Sequence, residues 1–316
     1  MRRSALVAAI LVAVAGMARA EVPRVVTDIP PVQSLVAQVM GDLGTPEVLL
    51  GRGASPHEFQ LRPSQAAGLT RADLIFWIGP ELTPWLDRAL KGVGGAENAV
   101  ALLHAPGTFT LDFAAGADDD HDQDRDAAAA GDHDHDHEEG HHHEGLNPHA
   151  WLDPANAEHW LDVIADDLAA RDPEHAATYR ANAAEAKAGI AAADARNQAL
   201  LAPVATVPLV VAHDAFGYFA KHYGINIVGA VALGDAARPG AARLAEIRAR
   251  LKSYGHACVF PDADQDPKLV AAVAEGTGAR LGRPLDPAGT LLDRGPGLYV
   301  TLIDGLAQTI ADCATE

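Results

Sequence analysis

Four side chains in this sequence stand where a metal ion could be held. His57 follows the apolar run Val48-Leu49-Leu50 across a turn that contains Gly51 and Gly53. His149 sits beside Pro148, and His213 ends the run Pro208-Leu209-Val210-Val211-Ala212. Asp286 ends the stretch Leu281 to Leu285, just before Pro287. In open α/β sheets, ligands bind outside the carboxyl ends of the strands, which is where His57, His213 and Asp286 fall. Neutral imidazole suits Zn(2+), and three histidines with one oxygen donor complete a tetrahedron. The four residues are far apart in the chain, so it is their equivalent loop positions, not their spacing, that point to a shared ion.

The elements that must position them alternate between strand and helix. Arg24 to Pro30 is a short strand candidate, and Val32, Leu35, Val36, Val39 and Met40 follow helical spacing. Val48 to Leu50 is a buried-strand run, and Pro63 opens a helix to about Arg71. Asp73 to Gly79 is the clearest strand, followed by a helix with Thr83 as its expected cap and Pro84 in its first turn. After a further helix from about Pro154 to Ala170, the segment from Pro173 to about Leu201 is Ala-rich, has no internal proline and predicts one helix of about 43 Å. That length suits a rigid backbone joining two lobes. Beyond it, strands are expected at Pro208 to Ala212, Ile225 to Val231, Ala257 to Phe260 and Ala279 to Leu285, with a last helix from about Leu298. The expected fold is α/β: two lobes, each a mainly parallel sheet flanked by helices. The boundaries are a leader at 1–20, a first lobe at 21–170, a linker helix at 171–203 and a second lobe at 204–316.

Residues 117–145 break this pattern. They hold nine Asp and three Glu against one Arg, for a net charge of −11, with seven histidines: His121, His133, His135, His137, His141, His142 and His143. No large apolar residue is present, so a disordered loop is expected. Its interleaved imidazoles and carboxylates are metal donors, and its charge raises the local cation concentration. Sites on a flexible chain must be ordered on binding, so each should be weaker than a preformed one. The expected role is auxiliary capture or buffering; a solvated spacer is the alternative.

The chain has 316 residues with a formal charge of −19, 48% hydrophobic residues and two cysteines. The hydrophobic content supports a packed core, and the acidic balance disfavours nucleic acid and anionic membranes. Two cysteines exclude four-cysteine zinc fingers and ferredoxin clusters. Arg2 and Arg3, the apolar stretch Ala5 to Gly16 and Ala18-Arg19-Ala20 read as a signal peptide cleaved before Glu21. Its apolar stretch is too short to span a bilayer, and the mature chain, at −22, is expected to be soluble. Export into an oxidising compartment makes a Cys258–Cys313 disulfide the expectation. The remaining histidines, His104, His159, His175, His222 and His256, and the tryptophans Trp77, Trp85, Trp151 and Trp160 are expected to serve structure.

Several stretches together carry a resemblance. They are Ser55-Pro56-His57-Glu58-Phe59, Leu61-Arg62-Pro63-Ser64, Ala72-Asp73-Leu74-Ile75 and Trp77-Ile78-Gly79. They continue with Asn147-Pro148-His149-Ala150-Trp151-Leu152-Asp153-Pro154, His213-Asp214-Ala215-Phe216-Gly217-Tyr218 and Leu285-Asp286-Pro287. In these the chain resembles the metal-binding solute-binding proteins of ABC transporters, most closely the high-affinity zinc-uptake (ZnuA) type. The resemblance implies metal in the cleft between the lobes, with His57, His149 and His213 as ligands. Some zinc-type relatives carry a glutamate just before the first ligand histidine, a place held here by Pro56, so Asp286 is the favoured fourth ligand ahead of water or Glu58. The implied cargo is Zn(2+), and the implied partner is an inner-membrane ABC permease. A periplasmic zinc chaperone is an optional loading partner, and the chain is expected to act as a monomer.

Three rival readings stand beside this one. A zinc hydrolase could use three histidines and an open position, but neither a HExxH motif nor a Gly-x-Ser-x-Gly elbow occurs. A zinc-storage protein would place its main sites on the acidic loop. A manganese or iron receptor of the same family would be expected to draw on carboxylates more than on imidazoles.

Overall fold

The structure is a computed structural model that describes residues 21–113, 145–232 and 239–315. The expected leader and the seven histidines of the acidic segment lie outside the described residues.

In the first lobe β1 (Val25–Thr27) leads into α1 (Pro30–Met40), then β2 (Glu47–Val48), α2 (Pro63–Leu69), β3 (Leu74–Trp77), α3 (Pro84–Val93) and β4 (Ala99–Ala101). The four strands are parallel in the order β2-β1-β3-β4. Beyond it run α4 (Pro154–Arg171) and α5 (Ala176–Leu201). The second lobe is β5 (Leu209–His213), α6 (Gly217–Tyr223), β6 (Ile227–Ala232), α7 (Ala241–Tyr254), β7 (Cys258–Phe260), α8 (Lys268–Ala274), β8 (Arg280–Leu281) and α9 (Leu298–Thr315). Its sheet, again parallel, has the order β6-β5-β7-β8, the same winding as the first.

Four helices start for a local reason. Pro30, Pro63, Pro84 and Pro154 occupy first turns, where a missing N–H costs nothing. Asp153 caps α4 by accepting from Ala155 N at 2.9 Å. Thr83 precedes α3 but does not cap it, contrary to expectation: its buried hydroxyl donates instead to the carbonyl of Gly79. The long linker is also shorter than the pattern suggested. Pro173–His175 forms a separate 3-10 turn, and α5 begins at Ala176, spanning about 39 Å over 26 residues.

The buried face of α5 is Tyr179, Ala183, Ala186, Ile190, Ala193, Asn197 and Leu201. Those positions repeat every three or four residues, and the alanines allow neighbouring helices to approach closely. Against this stripe pack α1 and α4 from one lobe and α9 from the other. One apolar core therefore runs from Val25 to Cys313 through both halves, with Trp151, Trp160, Tyr179 and Tyr299 fully buried within it. Trp77 and Trp85 are buried in a second cluster on the outer face of the first sheet. The expected disulfide is present, joining Cys258 on β7 to Cys313 on α9 with a Cα–Cα distance of 6.2 Å. Among the described residues no helix is long and apolar enough to cross a membrane.

Candidate metal centre

His213 is the last residue of β5, and its side chain is set by the sheet. Strand β5 pairs with β7 in parallel register, Val211 opposite Phe260. Two residues on, on the same face, His213 and Asp262 come abreast, and His213 Nδ1 lies 2.6 Å from Asp262 Oδ2. An ionised carboxylate only accepts, so Nδ1 carries the proton and Nε2 the lone pair.

His149 receives the same treatment from a neutral partner. Asn147 Oδ1 accepts from His149 N at 3.0 Å and from His149 Nδ1 at 2.8 Å. Asn147 is itself held, since its carbonyl accepts from Tyr218 Oη at 2.8 Å and its N–H donates to Leu111 O at 2.8 Å. Two residues further, Trp151 Nε1 donates across the cleft to Pro287 O, and Tyr299 Oη donates to Trp151 O, both at 2.8 Å. The Asn147–Trp151 segment is thus tied to the second lobe at three points, and His149 is buried.

His57 comes from the connection between β2 and α2. Trp85 Nε1 donates to Pro56 O at 2.7 Å, and the ring of Phe59 lies 5.1 Å from that of Trp85. These contacts anchor the residues on either side of His57, whose own ring is half-buried.

The three rings converge. Their centroids are 5.4 Å apart for His57–His149, 6.2 Å for His57–His213 and 5.6 Å for His149–His213. One ligand nitrogen from each lies within 4.8 Å of the others. A tetrahedral zinc with bonds of 2.0–2.1 Å separates two donors by about 3.4 Å, a gap that small side-chain rotations close. Among the described residues this is the one such group of histidine, cysteine or carboxylate ligands.

Asp286 lines the same cleft with Ser55, Trp151 and Asp264, but its ligand atoms are not part of that group. The reason is local: Oδ1 accepts from Thr290 N at 3.0 Å and Oδ2 from Leu291 N at 2.9 Å, which holds the carboxylate in its own turn. Glu58 is exposed and does not line the cleft. Asp264, on the second-lobe side, is pushed above the usual carboxylate range by burial first and by the charge of Asp262 second.

Reading the sequence for strand ends singled out His57, His213 and Asp286 but missed Asp262. The same rule applied to Phe260-Pro261-Asp262, at the end of the predicted strand 257–260, would have found it. Asn147 lay within a recognised stretch, yet nothing in the sequence shows that its amide holds a ring. His222 serves structure, as expected. Its Nδ1 lies 2.9 Å from Asp153 and its Nε2 2.7 Å from Asp194, bridging three segments.

The comparisons with known proteins bear on the family and the fold. The family model described as zinc-uptake complex component A, periplasmic (ZnuA) matches residues 25–313. The chain is 53% identical over 321 residues to the high-affinity zinc uptake system protein ZnuA of Paracoccus denitrificans, covering 99% of this chain and 98% of that one. A crystal structure of ZnuA superposes with a TM-score of 0.71 at 22% identity, covering 93% of this chain and 99% of that one. The solute-binding protein FpvC of Pseudomonas aeruginosa, solved with Mn2+, gives 0.75 at 18% identity, covering 93% and 98%, a likeness of fold alone. Three buried or half-buried imidazoles between two parallel α/β lobes and the match over nearly the whole chain lead to one conclusion: the chain belongs to the ZnuA family of periplasmic zinc-uptake components.

Proposed function

We propose that this chain is a periplasmic receptor that captures Zn(2+) between its lobes and delivers it to an inner-membrane ABC permease for zinc uptake. The observation that carries this reading is the convergence of His57, His149 and His213 on one point. Three imidazoles form a borderline-soft donor set that suits zinc, whereas manganese sites draw on carboxylates and water. The fold is shared with a manganese-bound protein, so the ligand set and not the fold distinguishes the cargo.

The fourth position is taken by water in preference to Asp286, whose oxygens lie outside the histidine group although they keep lone pairs beyond the two backbone N–H groups they accept, while Glu58 faces solvent. An open fourth position is also what release requires, because an incoming ligand of the permease can attack there before the imidazoles let go. The histidines of the acidic segment serve as weaker auxiliary sites that gather zinc for the cleft, and the receptor works as a monomer. A periplasmic chaperone that loads the site is compatible with the half-exposed edge at His57.

The test is zinc titration against a competing chelator with protein lacking residues 117–145. One tight site is expected, and it should vanish in His57→Ala and in His213→Ala. A storage protein would instead lose nearly all its zinc when the acidic segment is removed.

A further inference from the structure

Asp262 is buried at 2% exposure, and its Oδ2 bonds His213 Nδ1. Its other oxygen, Oδ1, is buried with no hydrogen-bond partner among the described residues. A carboxylate removed from water is costly unless hydrogen bonds or opposite charge offset the loss. The fold supplies little of either. Asp264 nearby adds like charge, and no lysine or arginine is paired with Asp262 among the described residues. The contrast with Asp286 is direct, since that carboxylate accepts from two backbone N–H groups and so closes a turn. Asp262 closes nothing of the kind; its side chain does one thing, which is to hold the edge of one imidazole.

We infer that Asp262 is the positioning residue of the metal site, fixing His213 with Nε2 toward the ion and setting a carboxylate behind that ring. This rests on the reading of the three histidines as the zinc site. Carboxylate partners behind a ligating histidine fix its tautomer and raise its basicity. His149 has the neutral amide of Asn147 in the same role, so the two buried ligands are unequal and His213 is the stronger donor. The arrangement also makes Asp262 a residue that burdens the metal-free fold and strengthens the loaded one.

The experiment uses protein lacking residues 117–145 and compares the parent with Asp262→Asn, Asp262→Leu and His213→Ala. Zinc affinity is measured by chelator competition, melting temperature with and without zinc, and coordination by the visible spectrum of the cobalt(II)-loaded protein. Zinc affinity should fall about tenfold in Asp262→Asn, which keeps an acceptor, and about 100-fold in Asp262→Leu. The cobalt bands should shift in Asp262→Leu. Without metal, Asp262→Asn should melt no lower than the parent, a result that a merely structural role would not give. Unchanged zinc affinity in Asp262→Leu, with tight binding abolished in His213→Ala, would overturn the role of Asp262 and leave the zinc site standing. Parent-like zinc binding by His213→Ala would overturn the underlying site instead. If Asp262→Leu does not fold, Asp262→Asn decides alone: a metal-free melt well below the parent would make Asp262 a prop of the fold and overturn the inference.

Discussion

The three ligand histidines are not equivalent, and their burial says how each substitution should behave. His57 is half-buried and sits on a connection between β2 and α2, so His57→Ala should abolish tight zinc binding with little effect on melting of the metal-free protein. His213→Ala should also abolish it, but by removing the partner of Asp262 it leaves a buried carboxylate without its hydrogen bond. That variant should lose stability of about 1–3 kcal/mol as well, read by urea unfolding. Equal unfolding curves for the two variants would contradict the difference in burial. The histidines were legible in the sequence because each ends a strand or adjoins a proline. Asp262 was not, because its pairing with His213 depends on which strand lies beside β5, and sheet order is not written in any local pattern.

At the scale of elements, the short helix α6 ties the ligand loops together. Tyr218 at its start bonds Asn147 O, and His222 near its end bridges Asp153 and Asp194. Hydrogen bonds to Asp153 first, then to Asp194, lift His222 from its usual value to about 9 against the opposing effect of burial; Glu158 faces the same cluster. The folded state therefore holds the His222 proton more tightly than the unfolded chain does. The resulting stability is fully present below about pH 6.5 and is lost as pH rises through about 9. His222→Gln should cost about 2–3 kcal/mol at pH 6 and far less at pH 10, as measured by unfolding at each pH. A cost that does not change with pH would contradict the ion-pair bridge. The Cys258–Cys313 bond closes a loop with a sequence separation of 55, so its reduction should lower stability by up to about 4 kcal/mol, visible as a drop in melting temperature with reductant. Long, strongly patterned elements such as α4, β3 and β5 were readable in advance. Strand β4 was not, since Ala99-Val100-Ala101 is three residues long and half-buried, too short for alternation to register. The separate 3-10 turn at Pro173–His175 was equally hidden, because the Ala-rich composition that follows it dominates the pattern.

The molecule as a whole is two copies of one winding held on a shared core. The orders β2-β1-β3-β4 and β6-β5-β7-β8 are the same arrangement, so the carboxyl ends of both sheets offer equivalent loops to one cleft. Contacts across the halves are numerous and specific: Ser34 Oγ to Pro296 O at 2.9 Å, an Arg294 guanidinium N–H to Leu50 O at 2.7 Å, and Trp151 Nε1 to Pro287 O at 2.8 Å. With α5 packed against helices of both lobes, a large hinge motion would have to break these bonds and the common core. Zinc binding should therefore change the radius of gyration by little; a marked compaction in small-angle scattering would contradict it. The two-lobed α/β plan was visible from alternating strand and helix signals, but the continuity of the core was not, because it is made by helix–helix contacts distant in sequence. The most direct measurement is a crystal structure of the zinc-loaded protein with anomalous data at the zinc edge. One strong peak bonded to His57, His149 and His213 at 2.0–2.1 Å is expected. A peak elsewhere on the molecule, or one bonded to no more than one of these rings, would contradict it.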